Sequence, residues 1–203
     1  DEFKKELPEL DLGGGYGIAY LQNEVSVDPF EAMQVLATAV KKHCNAFNLQ
    51  LPTISIEPGR AIVGPTMFTL YEVGTVKAVT LENGSQRRYI SVDGGMSDNI
   101  RPSLYGAEYT AIIANRTSTA KKVSSRIVGK HCETGDIVIN EIELPADIAP
   151  NDLIAVPATG AYGRSMASNY NHVPKPPVIA VKDGKARVIV RRETEADLLN
   201  LDI

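Results

Sequence analysis

The sequence predicts an α/β segment followed by a mostly antiparallel all-β domain, and three observations point that way. Residues 1–66 read as strand, helix, strand. Beyond Pro65, short β-branched and aromatic runs alternate with Gly, Asn and Asp turns. Apolar spacing changes with them, from the three- and four-residue period of a helix to the shorter rhythm of strands.

Taking the elements in order, Glu9 to Leu12 is a short extended run that ends in Gly13-Gly14-Gly15. Asp28-Pro29-Phe30-Glu31 then has the makings of a helix start: a capping carboxylate, a proline at the first helical position and a glutamate placed to reach back. The spacing predicts a helix to about Phe47, with Phe30, Met33, Leu36, Ala37 and Val40 on one buried face and Cys44 continuing it as a packing residue. Thr53 to Ile56 is the second strand, cut short by Glu57-Pro58-Gly59-Arg60.

The β-domain, 67–203, should contain strands at Met67–Leu81, Arg88–Val92, Glu108–Ala114, Lys122–Val128, Asp136–Ile139, Leu153–Val156, Val178–Val181 and Ala186–Val190. Asn83-Gly84 and Asp183-Gly184 are hairpin turns by composition. Helical pieces are expected near Thr159–Ala167 and Glu193–Leu199, and Pro174–Pro177 reads as a stiff loop.

The two segments differ in completeness. A parallel sheet is buried on both faces, and a closed β/α barrel needs about 250 residues, so one β-α-β unit cannot stand alone. Residues 1–66 are therefore expected to be an incomplete part of a larger parallel fold whose other strands lie in another stretch of polypeptide. That the chain opens at Asp1 rather than a methionine fits that expectation.

Composition excludes several classes of function. The 203 residues carry a formal charge of -4, with no basic stripe to neutralise nucleic-acid phosphates. Apolar runs stay short of the roughly 18 residues that cross a bilayer, and no leader-like segment opens the chain, so a cytoplasmic location is expected. Cys44 and Cys132 are too few for a disulfide scaffold, and no spacing suggests a metal site.

Two glycine turns follow two consecutive parallel strands, Gly13-Gly14-Gly15-Tyr16-Gly17 and Glu57-Pro58-Gly59-Arg60. Such turns let backbone N–H groups approach an anion, and the loops after the last strands of a (β/α)8 barrel often hold a phosphate. The dinucleotide-binding spacing fails at Ile18, and there is no Walker lysine.

The strings DLGGGYGIAY, SIEPGRAIVG, SVDGGMSDNIRPSLYGAEY, GKHCETGDI and PATGAYGRSMASNYN resemble, in order and spacing, the C-terminal part of the fold-type III pyridoxal-phosphate decarboxylases. The resemblance runs over nearly the whole chain. It implies that residues 1–66 are the last β-α-β part of a TIM-like (β/α)8 barrel that binds pyridoxal 5'-phosphate. It also implies that 67–203 form the β-domain that completes the site across a homodimer interface.

Within that resemblance Glu57 would face the pyridine nitrogen and keep the ring protonated, which favours decarboxylation. Alanine racemases of the same fold place an arginine there. Gly14, Gly15, Gly59 and Arg60 would grip the phosphate, with Tyr162 between phosphate and substrate. Arg60, Arg101, Tyr105, Tyr162 and Glu133 would bind the substrate. The arginine forks suit a distal carboxylate and Glu133 a distal ammonium, a pair that meso-2,6-diaminopimelate carries and ornithine or lysine does not. Cys132, in a loop entering the partner's site, would return the proton after CO2 leaves or guide that protonation. The lysine that anchors the cofactor lies early in the family's barrel, in a half absent from this sequence, so the isolated chain is expected to bind cofactor weakly and to be inactive.

Other readings remain open on the residues alone. Cys132 with His172 or His131 could form a cysteine hydrolase, though no local signature supplies base and orienting group. A decarboxylase of another basic amino acid on the same fold, though expected to lack the arginine pair, and a non-catalytic relative are the other readings.

Overall fold

The structure is a computed structural model describing residues 8–203, so the start of the predicted 1–66 segment lies outside the described residues. Strand β1 (Glu9–Asp11) pairs in parallel with β2 (Thr53–Ser55), and helix α1 (Pro29–Ala46) connects them. Leu12 N–H donates to Ser55 O at 2.9 Å and Glu57 N–H to Gly13 O at 2.8 Å. The ladder thus runs past the strand ends and sets the two glycine turns side by side.

Helix α1 starts as its sequence dictates. The Asp28 carboxylate accepts from Phe30 N–H at 2.7 Å and Glu31 N–H at 3.3 Å, and Pro29 follows the cap. The reciprocal reach of Glu31 does not form. A second expectation fails more instructively. Met33, Leu36, Ala37, Val40 and Cys44 share a face, but it is only half-buried, and Phe30 is 81% exposed. Two strands of three residues offer too little surface to cover an 18-residue helix.

Helix α2 (Gly59–Val63) and a short 3-10 turn at Gly64–Thr66 lead into a six-stranded sheet of order β5-β8-β3-β4-β6-β7. Its strands are β3 (Phe68–Thr80), β4 (Gln86–Val92), β5 (Ile112–Ile113), β6 (Lys122–Val128), β7 (Ile137–Pro145) and β8 (Leu153–Pro157). Only β4–β6 is parallel; the other pairs are antiparallel. Strand β3 serves two neighbours, pairing with β8 over Phe68–Glu72 and with β4 over Val73–Thr80, with a register shift between Val73 and Val76.

Alternate residues of the strands turn to one core: Tyr71 and Val73, Ile90 and Val92, Ile127, Val138 and Leu144, Ile154 and Val156. Full burial of each aliphatic side chain stabilises by about 1.5–3 kcal/mol. A separate hairpin, β9 (Val178–Lys182) and β10 (Lys185–Val190), turns at Asp183-Gly184, where both residues have positive φ. Helix α5 (Glu195–Leu198) follows with a capping box between Thr194 and Asp197.

Three predicted elements differ from what forms. The strand expected over Glu108–Ala114 is reduced to Ile112–Ile113, because Gly106 ends an unforeseen helix α3 (Arg101–Tyr105) in the left-handed region and Tyr109 turns into the core. The strand at Asp136–Ile139 continues to Pro145, its polar residues Asn140 and Glu141 lying exposed. The helix near Thr159–Ala167 shrinks to α4 (Gly163–Met166), since Ala158 and Tyr162 have φ of 60° and 69°, which interrupts helical backbone. No helix among the described residues is long and apolar enough to cross a membrane.

Candidate active site

The glycine turns make the first wall of the site. A Cβ on Gly14 would lie 2.7 Å from Glu57 O, so only glycine lets the two turns touch. Gly13 and Gly15 have φ of 71° and 91°, which holds the first turn open. Among the described residues, no hydrogen bond takes up the N–H groups of Gly14 or Gly15, and none engages the exposed carboxylate of Glu57. Two donors and an acceptor are thus free at the ends of two adjacent parallel strands.

Arg60, the second residue of α2, continues from this wall toward the β-domain. A Cβ on Gly64 would come within 3.6 Å of Arg60 Cγ, 2.5 Å of Ile18 Cδ1 and 3.8 Å of Ala161 Cβ. One on Gly160 would lie 1.9 Å from Val63 O, and Gly160 N–H donates to Gly64 O at 3.1 Å. These two glycines fasten the 158–162 segment onto the turn after α2. Tyr162 stands beside them in a left-handed conformation that costs a non-glycine residue about 1–3 kcal/mol and persists only where the surroundings impose it.

Arg101 lies across from Tyr162. Its guanidinium carbon sits 5.0 Å from the Tyr20 ring centre, 5.6 Å from Tyr162 and 5.8 Å from Tyr109, and Nη1 donates to the Tyr109 hydroxyl at 2.6 Å. No carboxylate pairs with it among the described residues. A half-buried cation held by aromatic faces and one neutral hydroxyl is equipped to take an anion from outside. Tyr105, one turn further along α3, shares the face of Arg101 by spacing and is exposed.

The remaining predicted pair lies on the 129–136 loop, where a Cβ on Gly135 would come within 3.2 Å of Ser103 Oγ of α3. Cys132 is exposed with a free thiol, and Glu133 accepts a hydrogen bond from the Tyr170 hydroxyl, whose pKa this carboxylate raises. No hydrogen bond, ion pair or ring contact among the described residues joins these two to Glu57, Arg60, Arg101 or Tyr162. Their loop is well anchored. Buried Asp136 accepts from His131 N–H at 2.7 Å and Met96 N–H at 2.6 Å, and His131 Nε2 is 2.8 Å from Ser97 Oγ. His131 is thereby engaged with Ser97, and no imidazole bonds the Cys132 thiol among the described residues, so a nucleophile–base pair is not assembled.

The segment Asp93–Ile100 ties these parts together. Asp98 accepts from Tyr71 Oη at 2.5 Å and from Gly95 N–H at 2.8 Å, Lys130 N–H donates to Gly94 O at 3.0 Å, and Ser168 N–H to Ser97 O at 2.9 Å. Burial pushes the carboxyl of Asp98 up. Sequence reasoning missed Tyr20, Tyr109, Asp136 and Tyr170. All four sit inside the quoted strings, but no local signal sets them apart from the packing and turn residues around them.

Comparison with known proteins places this arrangement. The model of the family described as pyridoxal-dependent decarboxylase, C-terminal sheet domain, matches residues 32–160. Diaminopimelate decarboxylase of Corynebacterium efficiens is 51% identical over 203 residues, covering 100% of this chain and 44% of the relative. The crystal structure of diaminopimelate decarboxylase from M. jannaschii in complex with L-lysine superposes with a TM-score of 0.88 at 29% identity, over 100% of this chain and 44% of that one. The Helicobacter pylori diaminopimelate decarboxylase, also complexed with L-lysine, gives 0.80 at 35%, over 97% of this chain and 45% of that one. The chain thus spans less than half the length of the relatives it matches. Sequence and fold agree that this chain belongs to the pyridoxal-dependent decarboxylase family and carries its C-terminal sheet domain.

Proposed function

We propose that this chain is the C-terminal part of a pyridoxal-phosphate-dependent carboxy-lyase that converts meso-2,6-diaminopimelate to L-lysine and CO2, the closing step of lysine biosynthesis. The observation that carries this reading is Arg101, a half-buried guanidinium without a carboxylate partner among the described residues, facing Tyr162. An ornithine or lysine substrate has no distal carboxylate to neutralise it. The names of the relatives, and the L-lysine held by two of the solved structures, support the same substrate.

The residues fit the cofactor. Free N–H groups at Gly14 and Gly15, in a turn that a side chain would block, suit a phosphate, with Gly59 and Arg60 beside them. The exposed carboxylate of Glu57, without a hydrogen-bond partner among the described residues, lies at the adjoining strand end and would hold a pyridine nitrogen protonated. Pyridoxal phosphate, when bound, supplies the electron sink that lets CO2 leave. This chain's own residues do the rest: Arg60, Arg101, Tyr105 and Tyr162 grip the distal carboxylate, Glu133 the distal ammonium, and Cys132 Sγ gives its proton to the carbon that lost CO2.

Cys132 and Glu133 act in the site of a second copy in this account, which makes the working unit a homodimer. Support comes from the absence of a hydrogen bond or ion pair between Cys132 or Glu133 and Arg101 among the described residues. Residues 1–66 are read as the last part of a (β/α)8 barrel whose other strands, with the anchoring lysine, come from elsewhere in a longer polypeptide. The half-covered face of α1 and an apolar groove of about 600 Å³ beside Val25, Val27, Val35 and Leu36 are the surfaces those strands would cover. Free thiols at Cys44 and Cys132 fit a reducing cytoplasm.

The test is Arg101→Ala in the cofactor-loaded, longer enzyme. Losing one partner of a desolvated ion pair should raise KM for meso-diaminopimelate on the order of 100-fold. The cofactor's absorbance should stay as it was. An unchanged KM contradicts the substrate assignment.

A further inference from the structure

We infer that Tyr109 is the positioning residue of the Arg101 fork, with the Tyr20 ring as its brace. The inference rests on the proposed role of Arg101 at the distal carboxylate and deepens it. It says why that arginine is ready before the substrate arrives.

An arginine side chain is long and flexible, and a fork that reads a carboxylate must be held in plane. Here the hydroxyl of Tyr109 accepts from Nη1 at 2.6 Å. Tyr109 is 3% exposed, packed in the core of the sheet, so its hydroxyl is a fixed point. The Tyr20 ring meets Tyr109 edge-on, with centroids 5.3 Å apart at 87°, and lies under the guanidinium at 5.0 Å. Tyr162 borders the same guanidinium at 5.6 Å.

The chemistry of the partner matters as much as its place. A carboxylate in the position of the Tyr109 hydroxyl would cancel the charge that the substrate must meet. A phenol orients the fork and leaves the charge whole. Burial pushes the Tyr109 hydroxyl above the ordinary tyrosine range, which keeps it neutral. Guanidinium carries five N–H donors, so a pair remains for a bidentate carboxylate after one is committed to Tyr109.

Core packing alone does not account for Tyr109. Its segment, residues 106–111, leaves the strand ladder, and Phe would fill the same volume without reaching Arg101. The hydroxyl is the part that the packing does not need.

The experiment is a double-mutant cycle in the longer, cofactor-loaded enzyme with Tyr109→Phe, Arg101→Ala and both. Losing a hydrogen bond to a charged group predicts a KM for meso-diaminopimelate about tenfold higher in Tyr109→Phe. The turnover number should stay within about twofold, because the fork touches the end of the substrate remote from the reacting carbon. On the Arg101→Ala background the same change should add less than about twofold. A KM raised by Arg101→Ala but untouched by Tyr109→Phe overturns this inference and leaves the substrate assignment standing. Equal effects of Tyr109→Phe on both backgrounds also overturn it. A KM indifferent to Arg101→Ala overturns both. Should Tyr109→Phe fold poorly, Tyr20→Leu removes the brace and must raise KM only while Arg101 is present; no change there overturns the inference equally.

Discussion

Asp152 shows how one buried carboxylate fastens a loop. Its two oxygens take Nε and Nη2 of Arg116 at 2.7 Å each, and Ala149 N–H adds a third bond at 3.0 Å. The Arg116 fork holds its carboxyl down at about 2, against an ordinary 3.8. Because the folded value lies below the unfolded one, the stabilisation is fully present above about pH 4 and is lost as pH falls toward 2. The thermal midpoint of the wild type should therefore fall over that window, and the gap between wild type and Arg116→Ala should shrink with it. A gap that does not change between pH 7 and 2.5 would contradict the assignment. None of this was legible in the sequence, where Arg116 and Asp152 lie 36 residues apart without a motif. Glu57, Arg60 and Arg101 were legible as candidates through the family resemblance of the strings that hold them; the glycine or proline beside each marks only a turn. Tyr109 was not, since a tyrosine in an apolar run reads as core, and it is core; only the geometry shows its hydroxyl at work on Arg101.

At the scale of elements, strand and turn chemistry carried well where local rules decide. The cap at Asp28 and the turns at Gly84 and Gly184 depend on a few neighbouring residues and formed where their sequences place them. Elements set by long-range contact did not. The extension of β7 to Pro145 needs pairing with β6, and the shortening of α4 needs the 158–162 segment to lie against the turn after α2. That contact makes a prediction. In Gly160→Ala the new Cβ would stand 1.9 Å from Val63 O, so the backbone must move. Overpacking of this kind costs about 1–3 kcal/mol, which lowers the midpoint by several degrees, roughly 2–4 °C per kcal/mol in a chain of this size. Differential scanning calorimetry of the variant checks this, with the expected drop accompanied by weaker cofactor retention as Tyr162 is displaced. An unshifted midpoint would show that the segment yields freely and that Tyr162 is not held by this contact.

For the whole molecule, no hydrogen bond or ion pair among the described residues joins two sets of residues that the sequence lists together. Glycine turns, Arg60, Tyr162 and Arg101 converge where the β-α-β segment meets the sheet. Cys132 and Glu133 sit on a different loop, fastened by Asp136 and Tyr170. The order of motifs along a chain cannot reveal such a division, because it depends on how the sheet folds between them. On the proposed reading, a site built from one set of each of two copies uses both and recognises both ends of a substrate bearing an amino acid at each.

The most direct test of that account is the release of CO2 by the longer enzyme carrying this chain, measured with meso-diaminopimelate, L-lysine, L-ornithine and L-arginine under the same conditions. CO2 and stoichiometric L-lysine should form from meso-diaminopimelate, and the other three should not turn over. Turnover of ornithine, lysine or arginine with none of meso-diaminopimelate would contradict it.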